Sequence, residues 1–449
     1  MFGEYNMEFN YLYLPIGVPT FHLESASKEF EKSVALLKSV DDAVIVPDEM
    51  LLSLDKLHAF IDDKHPDFVV VQNITFANGA YMTEILRTLD CPALLWTLKE
   101  PVIDGGRLRL NSLTGAFSAG NVLNNFGRPF EYVFGSPEEE AVKAKVAATL
   151  RAARLRAALG HLNIMQIGQT PQGFDFGKAQ EAEMATFGAK LLSVELEKFF
   201  DLAKSYTDDE VSEYLEDAKK RIVGLENIKA ENVRDFAKLY KAYKEYVKQN
   251  NVGALSSRCW PDCFTNYGTP VCAVLAILND LDVPASCEAD TYGALSMFMG
   301  QFLTKRPTFF GDPVSMNAAE NTVTFWHCGT AACSLAREDT GARAGVHCNR
   351  KIGPTLEFGC KAEPRVTIFR VGKNAEGKFR LFLATGEALD KPQQFLGTSI
   401  VVKTDGCAKG LVEKAVKNGW EPHFVVAMGD VANEMRVLAN LLKIEVQEF

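Results

Sequence analysis

Residues 9–160 alternate between short apolar runs and amphipathic stretches, and this alternation most restricts the fold. FNYLYLPIG (9–17), DAVIVP (42–47), DFVVVQN (67–73) and CPALLWTL (91–98) read as strands. SASKEFEKSVALLKSV (25–40), LLSLDKLHAFIDDK (51–64) and ANGAYMTEILRTL (77–89) lie between them with apolar residues at helical spacing. Strands separated by whole helices pair in parallel, with helices on both faces of the sheet. Ligands bind such sheets in the loops beyond the strand carboxyl ends. Those loops are 17–22, 72–78 and 97–101, with His22 and Trp96 as candidates for substrate contact. No GxGxxG follows the first strand, so no nucleotide cofactor is expected; Gly105-Gly106 reads as a turn.

A second unit starts near Leu159, with LNIMQIG (162–168) as a strand and GQTPQGFDFG (168–177) as a loop. Residues 193–249 read as a long helical region whose Glu/Lys pairs make it mostly a solvated surface. Thr207 with Glu210 is a plausible helix start. From about Pro307 strands dominate: TVTFWHC, TLEFGC, RVTIFRVG, KFRLFLATGEAL and TSIVVKT, with a hairpin turn at NAEG (374–377). The expected architecture is α/β. Rossmann/flavodoxin-like parallel-sheet domains occupy 1–158 and 159–306, and a mostly β, barrel-like domain occupies 307–449.

The net charge of −10 argues against a nucleic-acid or membrane-surface partner. No apolar stretch reaches the roughly 18 residues of a spanning helix. None of the ten cysteines falls in a CxxC pair, and scattered thiols suit a reducing compartment. With no signal-peptide pattern at the start, a cytoplasmic location is expected.

The candidate chemistry centres on ASCEADTYGALSMFMGQFLTKRPTFFGDP (285–313). It places Glu288 before a buried helix and Asp312 beyond it, in a Gly-Asp-Pro turn. His327 in FWHCGT and His423 in GWEPHFVVAMGD add imidazoles, and an oxygen-rich set with imidazole suits a divalent cation such as Mn²⁺. Each residue alone has a plainer reading: a helix-dipole partner, a turn former, or a structural strand-end histidine.

RCWPD (258–262), CEADTYGALSM (287–297), ENTVTFWHCGT (320–330) and EPHFVVAMGDVANEMRVLANLLKIEV (421–446) resemble segments of the L-fucose/L-arabinose isomerase superfamily. IGVPTFHLESASK (16–28) is similar to the opening strand and loop of the arabinose isomerases. The resemblance implies Glu288, Asp312 and His423 as metal ligands, with His327 as a further ligand or a substrate contact. It also implies Arg258 and Trp260 beside the site, Mn²⁺ as cofactor with Mg²⁺ or Co²⁺ as substitutes, and a hexamer or trimer-based homo-oligomer whose subunits share the site. The implied reaction is aldose–ketose isomerisation of a free sugar through a metal-chelated cis-enediol, with Glu288 and Asp312 as catalytic acid and base.

Fucose- or arabinose-type sugars and the sulfonated sugar sulfoquinovose are the candidate substrates. For the latter, REDTGARAGVHCNRK (337–351) offers Arg337, Arg343, His347, Arg350 and Lys351 as an anion clamp, or else forms a solvated loop. A non-catalytic sugar-binding protein and a metal-dependent hydrolase are the alternatives.

Overall fold

The computed structural model describes residues 9–449. The described residues divide into two compact units, one of 9–158 with 433–443, the other of 159–432 with 444–449.

In the first unit five parallel strands run in the order Val44–Ile45, Tyr11–Ile16, Phe68–Asn73, Ala93–Thr97, Phe130–Phe134. This is the flavodoxin-like order. The three middle strands are buried along their whole length. Strands covered on both faces are continuous apolar runs, as VVV and ALLW are here. The outer strand Phe130–Phe134 alternates buried and exposed residues, with Glu131 on the buried side and Tyr132 and Phe134 on the exposed side, which inverts the usual pattern.

The second unit holds a smaller parallel sheet, ordered Lys190–Val194, Asn163–Ile167, Ala254–Ser257, Ala285–Cys287. Ala254–Ser257 is built of small residues and reads as no strand, yet it is wholly buried. Its serines explain this: Ser256 Oγ lies 3.0 Å from Thr291 Oγ1 and Ser257 Oγ 2.8 Å from the Tyr243 hydroxyl. The helical region 193–249 consists of the helices Leu196–Ser205, Ser212–Arg221 and Ala230–Gln249. Thr207 and Glu210 do bond reciprocally, ahead of a short 3₁₀ turn. The last helix buries Phe236, Tyr240, Tyr243 and Val247, so it is core as much as surface.

Six antiparallel strands then close into a barrel. Going round, they are Phe309–Asn317, Thr322–His327, Thr398–Thr404, Phe379–Ala388, Glu363–Lys373 and Phe424–Ala427, which pairs with Phe309–Asn317 again. Thr355–Gly359 adds in parallel to Thr398–Thr404, and Glu445–Glu448 to Phe379–Ala388. Helix Thr291–Thr304 packs against strand Ala254–Ser257 and against barrel strands Glu363–Lys373 and Phe424–Ala427. A helix so placed must be apolar all round, and eleven of its fourteen residues are buried. No helix among the described residues is long and apolar enough to cross a membrane.

Candidate active site

The site forms where the small sheet meets the barrel. Strand Ala285–Cys287 ends, and Glu288 and Ala289 both take left-handed backbone angles, with φ of 59° and 52°. Such angles cost energy for residues other than glycine and cluster where function needs them. They hold Glu288 out of the helix, which begins only after Asp290 caps it by accepting from the Gly293 amide at 2.9 Å. Trp260 Nε1 donates to Glu288 Oε1 at 2.8 Å, leaving Oε2 facing His423 Nε2, also at 2.8 Å.

Asp312 arrives from the barrel. It lies within strand Phe309–Asn317, opposite Trp326, rather than in the expected turn. Gly311 lets the strands come close here, since a Cβ on it would meet the Trp326 carbonyl oxygen at 2.5 Å. Pro313 sits where the register shifts, so its missing N–H does not break the ladder. Asp312 Oδ1 is 3.5 Å from His423 Nε2. His327, the last residue of its strand, completes a group with Glu288 and His423 whose ligand atoms all lie within 4.8 Å of one another.

His423 is 1% exposed and flanked by carboxylates on both ring nitrogens. Nδ1 lies 2.9 Å from Asp290 Oδ2, and Arg370 clamps Asp290 from 2.7 and 3.2 Å while donating to the His423 carbonyl at 3.1 Å. Burial works against a charged ring, but the bonds to Asp290 and Glu288 outweigh it and raise the His423 pKa to about 9. Burial holds the Asp312 carboxyl above its usual range, partly offset by His423 and His327. Arg370 and His423 overcome the burial of Asp290 and keep it ionised. Phe310 and Phe176 wall the imidazole, with ring centres 4.7 and 5.3 Å from it.

This donor set fits a divalent cation. Asp290 accepts the Nδ1–H hydrogen bond, so with a cation bound the Nε2 lone pair would face it beside Glu288 and Asp312; a carboxylate behind a ligating histidine is the usual orienting device. Two carboxylates and two imidazoles are a borderline-hard set of the kind Mn²⁺ accepts.

The other candidates distribute unevenly. Glu288, Asp312, His327 and Trp260 share a cavity of about 300 Å³ with His347, Asn349 and Arg350. Arg258 bonds Asp262 and the carbonyls of Gln169 and Thr170, so it fastens the neighbouring loop. Arg343 lines a different cavity with Glu357 and Gln393. Arg337 is paired with Asp339 and Asp390. In the first unit, His22 caps helix Leu23–Val40 through Ser25. Trp96 is fully buried there, donating to the Gly135 carbonyl at 3.0 Å.

Sequence reasoning passed over Asp290, Arg370 and Asn349. Arg370 did leave a signal, being the one cation inside the apolar run VTIFRVG. Asp290 was masked by its second role as a helix cap.

Residues 326–449 match the family described as L-fucose isomerase, C-terminal domain. Across nearly its full length the chain is similar to proteins named sulfoquinovose isomerase. It is 56% identical over 444 residues to that of Clostridium sp. (strain MSTE9), covering 98% of this chain and 99% of the relative. It is 38% identical over 443 residues to that of Priestia aryabhattai, with 98% of each covered. That of Alkalicoccus urumqiensis is also 38% identical, over 441 residues. The chain therefore belongs to the sulfoquinovose isomerase family, a branch of the fucose isomerase-like proteins.

Proposed function

We propose that this chain interconverts sulfoquinovose and its ketose, with a divalent cation, Mn²⁺ in the first place, held by Glu288, Asp312, His423 and His327. The convergence of His423 Nε2, Glu288 Oε2 and Asp312 Oδ1 carries this reading. The relatives' common name supplies the substrate.

A cation bound there would polarise the sugar carbonyl and so acidify the neighbouring C–H. Moving a proton between C1 and C2 then needs one group that takes it and one that returns a proton to oxygen. Glu288 and Asp312 fill these parts. Trp260 donates its N–H to Glu288 Oε1 and so fixes the direction of the carboxylate. Bound to a cation, the Asp312 carboxylate would be ionised, and it would relay the proton between the sugar oxygens. Each such positioned acid or base contributes roughly 10²–10⁴-fold. Phe310 and Phe176 keep water from the imidazole side.

The sulfonate would be recognised from the segment 347–350. Two backbone amides, of Asn349 and Arg350, point at His347 Nδ1 from 3.3 and 3.4 Å, and the ring also bonds Cys328, so His347 holds this segment in place. Arg350 lines the same cavity and supplies a guanidinium for sulfonate oxygens. A homo-oligomer sharing the site between subunits, in the cytoplasm, belongs to the same reading.

The test is to incubate Mn²⁺-loaded protein with sulfoquinovose and follow the sugar by ¹³C NMR. Ketose signals at unchanged mass support isomerisation. Loss of the sulfonate or cleavage of the sugar would make the protein a hydrolase. Saturable binding with no conversion would make it a sugar-binding protein.

A further inference from the structure

The loop 168–177, GQTPQGFDFG, leaves strand Asn163–Ile167 and carries two half-buried rings, Phe174 and Phe176. No proton-transfer step uses it. Arg258 Nη1 donates to the Gln169 and Thr170 carbonyls at 3.0 and 3.2 Å, which ties the start of the loop to the segment that carries Trp260. The loop then folds on itself. The Phe174 amide donates to the Pro171 carbonyl, and the Gly177 amide to that of Phe174, both at 3.0 Å. At its end Gly177 lets the loop press on the carboxylate behind His423, since a Cβ there would meet the Asp290 α-carbon at 2.8 Å.

Phe174 stands between two parts of the site. Its ring meets Trp260 edge-on, with centres 5.6 Å apart and planes at 79°, and its centre lies 6.3 Å from that of His423. Phe176 packs beside it at 5.3 Å and is itself edge-on to His423. An edge-to-face pair has a preferred direction, so Phe174 sets the plane of the indole as well as filling space. That plane decides where the indole N–H points, and this N–H is bonded to Glu288 Oε1 at 2.8 Å. Trp260 lines the cavity that holds Glu288 and Asp312, whereas Phe174 does not. Any effect of Phe174 on the sugar therefore passes through its neighbours.

We propose that Phe174 is a positioning residue for the metal site. Carried on the loop that Arg258 ties down, it aligns the Trp260 indole and, through that indole, the Glu288 carboxylate. The inference rests on the proposed role of Glu288 as metal ligand and base.

The test is Mn²⁺ affinity, measured by electron paramagnetic resonance on the full-length protein without sugar. Losing one aromatic pair should weaken Mn²⁺ binding by about 3–10-fold in Phe174→Ala, and also in Phe174→Leu, which keeps apolar bulk but no ring edge. Phe174→Tyr, which keeps the ring, should bind as the wild type does. Trp260→Phe removes the N–H, and adding Phe174→Ala to it should weaken binding little further, since both act along one path. In saturating Mn²⁺, Phe174→Ala should lower kcat for sulfoquinovose and leave KM nearly unchanged. Wild-type Mn²⁺ affinity in Phe174→Leu would overturn the proposal, and so would losses that simply add in the double variant. Either result leaves the isomerase reading standing. A wild-type protein that bound no Mn²⁺ would overturn that reading and this inference together.

Discussion

Across 133 residues of chain, Asp290 Oδ2 lies 2.9 Å from His423 Nδ1. One element thus supplies both Glu288 and the group that decides which nitrogen of His423 faces it. Arg370 in turn keeps Asp290 ionised, so three chain segments set the state of one imidazole. The arrangement orients a ligand as it fixes a helix start.

Asp290→Asn keeps the shape of that side chain and removes its charge. The expected outcome is a loss of Mn²⁺ affinity of about 10–100-fold, the usual cost of disturbing a partner behind a metal ligand. Titration followed by electron paramagnetic resonance measures it. With Mn²⁺ in excess, most of the turnover should return. Unchanged affinity would mean that His423 is not a ligand.

Chelation gives the second prediction. Removing metal with EDTA should abolish sugar conversion, and re-adding Mn²⁺ should restore it. Glu288→Gln should keep the circular dichroism spectrum of the wild type and lower kcat by roughly 10²–10⁴-fold even with Mn²⁺ present. Full turnover by the metal-stripped protein would exclude a metal-assisted proton transfer.

The parallel sheet and much of the barrel were legible in the sequence because their strands are uninterrupted apolar runs or alternate cleanly. Phe130–Phe134 and Ala254–Ser257 were not. The first buries its glutamate and exposes Tyr132 and Phe134, against the apolar-in pattern, and the second buries small side chains through hydroxyl pairs that no hydropathy pattern shows. Glu288, Asp312, His327 and His423 could be named as a set, yet nothing in their spacing placed Asp312 on a strand. The arginines of 337–351 looked alike in the sequence. Only packing separates Arg350, in the cavity with Glu288, from Arg343 and Arg337, each engaged elsewhere.

Arg370 is 1% exposed and faces Asp290, which is equally buried. Arg370→Met would leave the Asp290 carboxylate in the core without its counter-charge. Breaking a buried pair from one side costs about 3–5 kcal/mol, read as a shift of the urea midpoint. Arg370→Met with Asp290→Asn should recover part of that loss, since the uncompensated charge is gone. No recovery in the double variant would assign the cost to packing of the Arg370 stem.

The distinction between Arg350 and Arg343 yields the last prediction. Arg350 lines the cavity that holds Glu288, Asp312 and His327, and a guanidinium there meets an anionic substituent but has no charged partner on a neutral sugar. A hydrogen bond to a charged group contributes about 1.5–3 kcal/mol. Arg350→Ala should therefore lower kcat/KM for sulfoquinovose by roughly 10–100-fold, while leaving kcat/KM for a neutral aldose such as glucose nearly unchanged. Arg343→Ala, in the separate cavity with Glu357 and Gln393, should alter neither. Equal losses on both sugars in Arg350→Ala would show that Arg350 supports the loop rather than the sulfonate. A selective loss in Arg343→Ala instead would move the anion site to the other cavity.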